Sequence, residues 1–212
     1  WHSGKDASGY ATPVPFQSGD EHLIILAAGE TVECVNLADG KSVWEYPWKT
    51  SYDLNAADPV VSGDNIFVSS GYQHGSVMLK IKRDKPSFVW ANKEFRNHIN
   101  SSVLWKGYLY GPDDVSNTQY ALKCVAWDTG ETKWSEPKFG KGSLIIADGK
   151  IIGLSDKGEL YVIDPTPAGF KPISHAQVIG GKCWTTPVLA NGRIYCRNSK
   201  GDLVCLDVSG KP

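Results

Sequence analysis

The chain has 212 residues, of which 41% are apolar and 21% charged, and its formal net charge is −1. This balance is typical of a globular fold and gives no electrostatic reason to expect nucleic acid or an anionic membrane as a partner. No stretch of about 18 apolar residues occurs, so we expect no transmembrane segment. Eight Trp, 22 Gly and 12 Pro against one Met indicate a turn-rich chain of strands, which favours an all-β fold.

The sequence begins with Trp1 rather than Met, and no signal peptide is visible. We therefore expect the chain to be processed, excised or part of a longer protein.

One layout recurs along the chain: three short apolar strands separated by polar turns, then a final turn that ends in Trp. It is clearest in residues 11–44, 57–90 and 100–134 and looser in 142–173 and 185–212. The turn tryptophans Trp44, Trp90 and Trp134 are 46 and 44 residues apart, and Trp1 lies 43 before Trp44. The first strands recur every 41 to 46 residues, marked by Pro13, Pro59, Val103, Leu144 and Pro187. This period predicts five repeats.

Each repeat has the features of a four-stranded antiparallel sheet. Strands such as NIFVSS and GELYVID suit half-buried or fully buried sheet positions. Turns such as SGDN and ANGR supply Gly, Asn or Asp where hairpins need a positive φ. Because one such sheet cannot bury both faces alone, radial stacking of the sheets is favoured. We predict an all-β fold, a β-propeller with about five blades in this chain, rather than a β-sandwich or a β-solenoid.

The repeat also predicts the domain organisation. Residues 1–212 are expected to form one propeller or part of one, with blades at approximately 6–48, 52–94, 98–138, 140–178 and 182–212 plus 1–5. The fourth strand of a repeat begins at its Trp, and the last repeat ends at DVSGKP before a Trp is reached. The N-terminal WHSGK looks like a fourth strand without its first three. Residues 1–5 either complete the last blade or mark a cut in a longer propeller.

The five cysteines match no zinc or redox spacing. Four lie in apolar strand runs, which predicts buried core thiols. Cys196 and Cys205 flank the turn NSKGD at roughly opposite positions of a hairpin, so a cross-strand disulfide is an alternative that stays open. The cysteines are Cys34, Cys124, Cys183, Cys196 and Cys205.

The turns CVNLADGKSVW and CVAWDTGETKW resemble the tryptophan-docking repeat of the quinoprotein alcohol dehydrogenase-like propellers, which consist of pyrroloquinoline-quinone-like repeats. In that repeat the turn ends in Thr-Gly-x-x-x-Trp. The full motif is present at Thr129, Gly130 and Trp134, and a partial one at Gly40 and Trp44. The second repeat keeps only its Trp, with KRDKPS in the turn. The resemblance covers nearly the whole chain and implies a blade-docking role for Gly40, Trp44, Trp90, Thr129, Gly130 and Trp134.

Within this family, the chain resembles most the C-terminal part of secreted bacterial propellers of seven or eight blades. The family also includes quinone-dependent alcohol dehydrogenases and an outer-membrane assembly lipoprotein whose propeller only binds partners, so the fold does not decide the function. It implies a periplasmic or secreted location. We expect a non-catalytic scaffold, without a cofactor, that binds a protein, a small ligand or a glycan through its loop face. The alternatives are a dehydrogenase that uses pyrroloquinoline quinone and calcium, and a glycan-binding propeller.

In such propellers two sets of loops share one face above the central funnel, and loops on a rigid scaffold are where binding residues concentrate. His98, in NHINSS, is the sharpest candidate there, as a general base, a metal ligand or a hydrogen-bond partner of a neighbouring loop. Asp113 and Asp114 are expected in a solvated turn, because two carboxylates alone supply too few ligands for calcium. The ligand-binding candidates are Tyr72, His74, Asn97, His98, Asn100, Lys141 and Trp184, within a wider set that adds Asp53, Asn55, Asp113, Asp114 and Lys182.

Dehydrogenases of the family typically carry a disulfide between adjacent cysteines beside the quinone, a calcium held by Asp, Glu and Asn, and a Trp beneath the cofactor ring. No two cysteines are adjacent in this chain, and no Asp or Glu matches the catalytic base. Trp184 alone is weak support for a quinone, because aromatic stacking is generic. We therefore predict no catalytic residue and no metal site.

Overall fold

The computed structural model describes residues 1–81, 85–116 and 118–210. Residues 82–84, from the KRDKPS turn of the second repeat, Asn117 and residues 211–212 lie outside the described residues. In the described ranges the elements are 19 β-strands and two short 3-10 turns, Ser51–Asp53 and Pro137–Phe139. The strands form five antiparallel sheets, so the predicted all-β class is confirmed. No helix among these residues is long and apolar enough to cross a membrane.

The chain divides into two compact units, and the first consists of Trp1–Ser101 with Asp114–Asn117. It contains two four-stranded sheets in which strands follow one another in chain order. The first sheet comprises β1 (Val14–Ser18), β2 (Glu21–Ala27), β3 (Thr31–Asn36) and β4 (Ser42–Pro47). The second comprises β5 (Val60–Ser62), β6 (Asn65–Ser70), β7 (Gly75–Lys80) and β8 (Ser87–Asn92).

The second unit consists of Ser102–Asp113 with Thr118–Pro212. Its first sheet, the third of the chain, comprises β9 (Val103–Trp105), β10 (Tyr108–Ser116, whose last residues are grouped with unit 1), β11 (Gln119–Ala126) and β12 (Thr132–Glu136). The fourth sheet comprises β13 (Ser143–Ala147), β14 (Lys150–Leu154), β15 (Glu159–Ile163) and β16 (Pro172–Gln177). The fifth has three strands, β17 (Val188–Ala190), β18 (Arg193–Arg197) and β19 (Leu203–Asp207).

Each unit buries its own apolar core between neighbouring sheets. In unit 1 side chains from β2 and β3, such as Ile25 and Cys34, pack with Ile66 and Leu79 of the second sheet. In unit 2 the fourth sheet buries apolar side chains on both of its faces, in two separate clusters. Ile151 joins the cluster with the third sheet, and its neighbour Ile152 joins the cluster with the fifth. This follows from the pleat, because successive side chains of a strand point to opposite faces.

The turn tryptophans occupy one position in three sheets. Trp44 lies opposite Cys34, Trp90 opposite Met78 and Trp134 opposite Cys124, and in each case the Trp directly follows a β-bulge in the fourth strand. A bulge also interrupts the fourth sheet between Val162 and Ile163, where Ser174 faces Val162. The equal placement explains why the sequence repeat is clearest around Trp.

Two tryptophans reach a turn that follows the third strand of a sheet. Trp134 Nε1 donates a hydrogen bond to the Thr166 carbonyl oxygen over 2.8 Å, within unit 2. Trp1 Nε1 donates to the Leu37 carbonyl oxygen over 3.1 Å, and its ring lies against Gly40. The turn that would correspond for Trp44 includes residues 82–84, outside the described residues. These two hydrogen bonds support the predicted docking of blades, which stays a prediction. The residues predicted to take part are Gly40, Trp44, Trp90, Thr129, Gly130 and Trp134.

The sequence left two alternatives for residues 1–5, and the structure does not have the first of them, a fourth strand for the last blade. These residues contain no strand, and the fifth sheet has three. The physical reason lies in the first sheet, where Gly40 leaves the space that the Trp1 ring fills.

The alternative of a Cys196–Cys205 disulfide is contradicted, since all five cysteines are free thiols. Cys196 pairs in register with Val204, while Cys205 pairs with Tyr195. The two cysteines are therefore offset by one residue and point to opposite faces of the sheet. Cys205 is exposed and the other four are buried.

Candidate functional site

Two loops of unit 1 hold pairs of non-glycine residues in the left-handed backbone region. Tyr52 and Asp53 have φ of 65° and 51° after β4, and Tyr72 and Gln73 have φ of 50° and 61° between β6 and β7. This conformation is uncommon outside Gly and tends to cluster at binding sites, where surrounding contacts impose it. The loops bring the Tyr52 and Tyr72 rings edge to face, with centroids 5.4 Å apart. The two residues are 84% and 38% exposed. We call this pair the tyrosine surface.

A His–Asp pair lies against the tyrosine surface. The His98 ring contacts the Tyr72 ring edge to face at 4.6 Å, and His98 Nδ1 lies 3.3 Å from Asp114 Oδ2. The Tyr72 N–H donates to the same oxygen over 3.4 Å. Gly71 permits this approach, because a Cβ there would come within 2.7 Å of His98 Cγ. Asp114 is buried, and its Oδ1 has no hydrogen-bond partner in the described part of the chain. These contacts fix the position of Tyr72.

Asn55 and His74 belong to the framework of the same loops, and both contact Trp48. Trp48 Nε1 donates to Ser70 Oγ over 2.9 Å, and that hydroxyl donates to Asn55 Oδ1 over 2.7 Å. Asn55 Nδ2 donates to backbone carbonyl oxygens. The His74 ring packs edge to face on Trp48 at 4.3 Å. Burial, and secondly repulsion from Lys93, lowers the pKa of His74, so it is mainly uncharged at neutral pH.

Asn97 and Asn100 are buried in unit 1. The Asn97 N–H donates to Ser69 Oγ over 2.8 Å, and that hydroxyl donates to the Phe95 carbonyl oxygen over 3.2 Å. Burial of both residues favours a structural role. Their predicted ligand-binding role stays a prediction.

Lys141, Lys182 and Trp184 come together in unit 2. Lys182 Nζ lies 4.2 Å and Lys141 Nζ 4.8 Å from the Trp184 ring centroid, within the cation–π range. Lys141 Nζ also lies 4.9 Å from the Tyr120 ring. Lys141 is 6% exposed, and its ammonium is held between the Tyr120 and Trp184 rings. Trp184 is 41% exposed, so part of its indole is accessible to a ligand. We call Lys141, Lys182 and Trp184 the lysine–tryptophan patch.

The prediction that Asp113 and Asp114 lie in a solvated turn was wrong. Both belong to β10 and are buried, because the strand continues through Pro112 instead of turning there. In unit 2 the carboxylate of Asp113 forms an ion pair of 2.8 Å with Lys123, which is also buried. A buried carboxylate needs such a partner, since leaving it unpaired costs several kcal/mol.

Sequence reasoning missed Tyr52, Tyr120 and Arg197. Tyr52 follows the fourth strand of the first repeat and has no counterpart at the same place in the others, so the repeat did not mark it. Tyr120 lies on β11 and reaches the Lys141 ammonium, and Arg197 Nη2 donates to Thr185 Oγ1 over 3.4 Å. An aromatic residue in the loop SYDLN was the one available signal for Tyr52.

The donor set does not fit the calcium and quinone site that the resemblance implies for dehydrogenases. Among the described residues, no group of three or more His, Cys, Asp or Glu side chains could hold a metal ion. The five cysteines of this chain are separated free thiols, so they do not supply the disulfide that the resemblance implies beside a quinone.

Comparison with known families and structures gives three kinds of result. The family model described as outer membrane protein assembly factor BamB matches residues 2–123. No curated protein sequence matches the chain. The solved quinohemoprotein alcohol dehydrogenase from Comamonas testosteroni is 13% identical with a TM-score of 0.72, over 97% of this chain and 42% of that chain.

Two further solved structures are similar. Quinohemoprotein alcohol dehydrogenase ADHIIG from Pseudomonas putida HK5 is 10% identical with a TM-score of 0.64, over 96% of this chain and 41% of that chain. BamB from Moraxella catarrhalis is 16% identical with a TM-score of 0.49, over 93% and 70%. The chain spans less than half the length of the two dehydrogenases. At these identities their likeness shows the fold alone, and it confirms a β-propeller of four-stranded blades.

Proposed function

The chain belongs to the family described as outer membrane protein assembly factor BamB, and we propose that it is a non-catalytic binding scaffold of the periplasm or the extracellular space. The partner is a protein, held by the tyrosine surface of unit 1. The family description supports a role in protein assembly. The observation that carries the proposal is the exposed Tyr52–Tyr72 pair on left-handed loops, with Tyr72 held by its contacts with His98 and the buried Asp114.

The chemistry of this surface suits a protein partner. Tyr is enriched at protein interfaces, since its ring gives a large contact area with few rotatable bonds and its hydroxyl forms a hydrogen bond. A loop already held in its bound conformation loses little entropy on binding. The positive φ of Tyr52 and Tyr72 and the contacts of Tyr72 with His98 and Asp114 favour this preorganisation.

The test is a quantitative pull-down from solubilised cell envelope. We expect the Tyr52→Ala, Tyr72→Ala double variant to capture about tenfold less partner than the wild type, or less still, because two exposed aromatic anchors are removed. Phe88→Ala is the matched control: Phe88 is a 63% exposed aromatic residue on β8 of the same unit. Equal capture by wild type and the double variant, or an equal loss in the Phe88→Ala control, would contradict the proposal.

The dehydrogenase alternative is tested by measuring Tm with and without pyrroloquinoline quinone and calcium. A ligand at about 100 times its dissociation constant stabilises a protein by about 2.7 kcal/mol, which for a chain of this size raises Tm by roughly 5 to 10 °C. We expect no saturable rise of Tm with pyrroloquinoline quinone and calcium. A rise of that size would replace the scaffold proposal with the dehydrogenase one. Capture of glycans but not proteins by the tyrosine surface would instead favour the glycan-binding alternative.

A further inference from the structure

Positive charge converges on the exposed indole of unit 2. Lys182 Nζ and Lys141 Nζ lie 4.2 and 4.8 Å from the Trp184 ring centroid, and Arg197 contacts the next residue, Thr185. In the described ranges, neither the Lys182 ammonium nor the Arg197 guanidinium has a carboxylate within 4.0 Å. Lys182 and Arg197 therefore carry positive charge that no carboxylate of the described residues pairs.

The position of the two ammonium groups limits what Trp184 can bind. A neutral sugar binds an indole by stacking on its face, but ammonium groups already lie over this ring at cation–π distance. The ring is nevertheless 41% exposed, so an apolar group can still contact it. A ligand that fits both features carries negative charge next to an apolar group.

Lys141 gives this loop a fixed geometry. It is 6% exposed, and its ammonium lies between Tyr120 of β11 and Trp184 before β17. Lys182 is more exposed and its backbone carbonyl accepts a hydrogen bond from the Ser199 N–H over 2.8 Å. One cation is therefore held with the ring, and a second can move to meet a ligand.

We propose that the lysine–tryptophan patch, together with Arg197, binds an acidic peptide segment in which Asp or Glu alternates with an apolar residue. Its carboxylates pair with Lys182 and Arg197, and its apolar side chain covers the exposed part of the Trp184 indole. A peptide is favoured over an acidic sugar, because a hydroxylated ring offers no apolar side chain to an indole whose face is occupied. The site lies in unit 2 and does not depend on the tyrosine surface.

The test uses a capped, fluorescein-labelled hexapeptide of alternating Glu and Leu, titrated with the whole chain by anisotropy. We expect it to bind at least about tenfold more tightly than the matched Gln and Leu peptide, and to weaken several-fold between low salt and about 0.2 M salt. Lys182→Gln should weaken binding about fivefold or more, while Lys182→Arg retains it. Lys150→Gln, which removes an exposed lysine of β14, is the charge-matched control and should change nothing.

Equal affinity for the Glu and Gln peptides, or an equal loss in Lys150→Gln, would overturn the proposal. Displacement of the peptide by trigalacturonate at equal concentration would assign the patch to acidic sugars and overturn it too. Trp184→Ala must also lose binding, and each variant is compared only after a cooperative thermal melt shows that it is folded. If Lys182→Gln does not fold, Arg197→Gln replaces it with the same expected loss.

Discussion

At the scale of single residues, Glu33 shows how the fold sets the chemistry of a side chain. It is 5% exposed on β3 and faces Glu45 across the β3–β4 pair. Burial raises the pKa of Glu33, and repulsion from Glu45 adds to the effect. The folded chain therefore binds this proton more tightly than the unfolded chain does. As pH rises through the window between the unfolded and the folded pKa, the free energy of unfolding falls, and the loss is complete above the folded pKa.

Glu33→Gln should consequently stabilise the protein at neutral pH. We expect the free energy of unfolding to rise by about 1 kcal/mol, since the buried charge is removed and the shape is kept. The gain should shrink as pH falls below the pKa of the folded wild type, where Glu33 is protonated. Urea unfolding at several pH values measures this. Glu21→Gln, an exposed change on β2, is the control, and a loss of stability in Glu33→Gln at neutral pH would contradict the argument.

Individual contacts were the least predictable level. The sequence marked Tyr72 and His98 as candidates, but it did not predict the contact of His98 with Asp114, which lies 16 residues further along the chain. The segment GPDD was interpreted as a turn, whereas it belongs to β10. The burial of Asn97 was equally hidden, because an amide in a loop is usually exposed. Such outcomes depend on which polar groups find partners after the sheets have packed, and the local sequence does not encode this.

At the scale of elements, the sequence predicted the sheets because one strand pattern repeats at a nearly constant period. The bulge before each Trp could not be predicted, since it depends on register between the third and fourth strands. In the turn at Gly40, one residue determines both the backbone conformation and a packing contact. Its φ of 70° requires Gly, and its missing Cβ leaves space for the Trp1 ring.

Gly40→Ala should therefore release Trp1 from the first sheet. A left-handed Ala alone costs roughly 1 to 2 kcal/mol, and the Cβ would also overlap the ring. Gly63→Ala is the matched control, because Gly63 has φ of 55° and no atom near the position of a Cβ. We expect Gly40→Ala to be the more destabilising of the two in urea unfolding and to speed hydrogen exchange at the Trp1 indole. Equal effects of both variants would mean that Trp1 does not dock there.

At the scale of the whole molecule, the repeat and the family agree on a β-propeller of four-stranded blades. The division into two compact units was not predictable, because the repeats are equally spaced on both sides of it. The repeat predicts the scaffold but not the function, because it does not specify the loops. The loops carry the two surfaces proposed here, a tyrosine surface in unit 1 and a lysine–tryptophan patch in unit 2.

Photo-crosslinking in the native host can show whether the tyrosine surface holds a protein partner. A photoreactive phenylalanine replaces Tyr72 in one variant of the full-length protein and Phe88 in another, so that both probes stand at solvent-accessible aromatic positions of unit 1. We expect one discrete protein adduct at position 72 and none at position 88. The same adduct pattern at both positions, or no adduct at position 72 in folded protein, would contradict it.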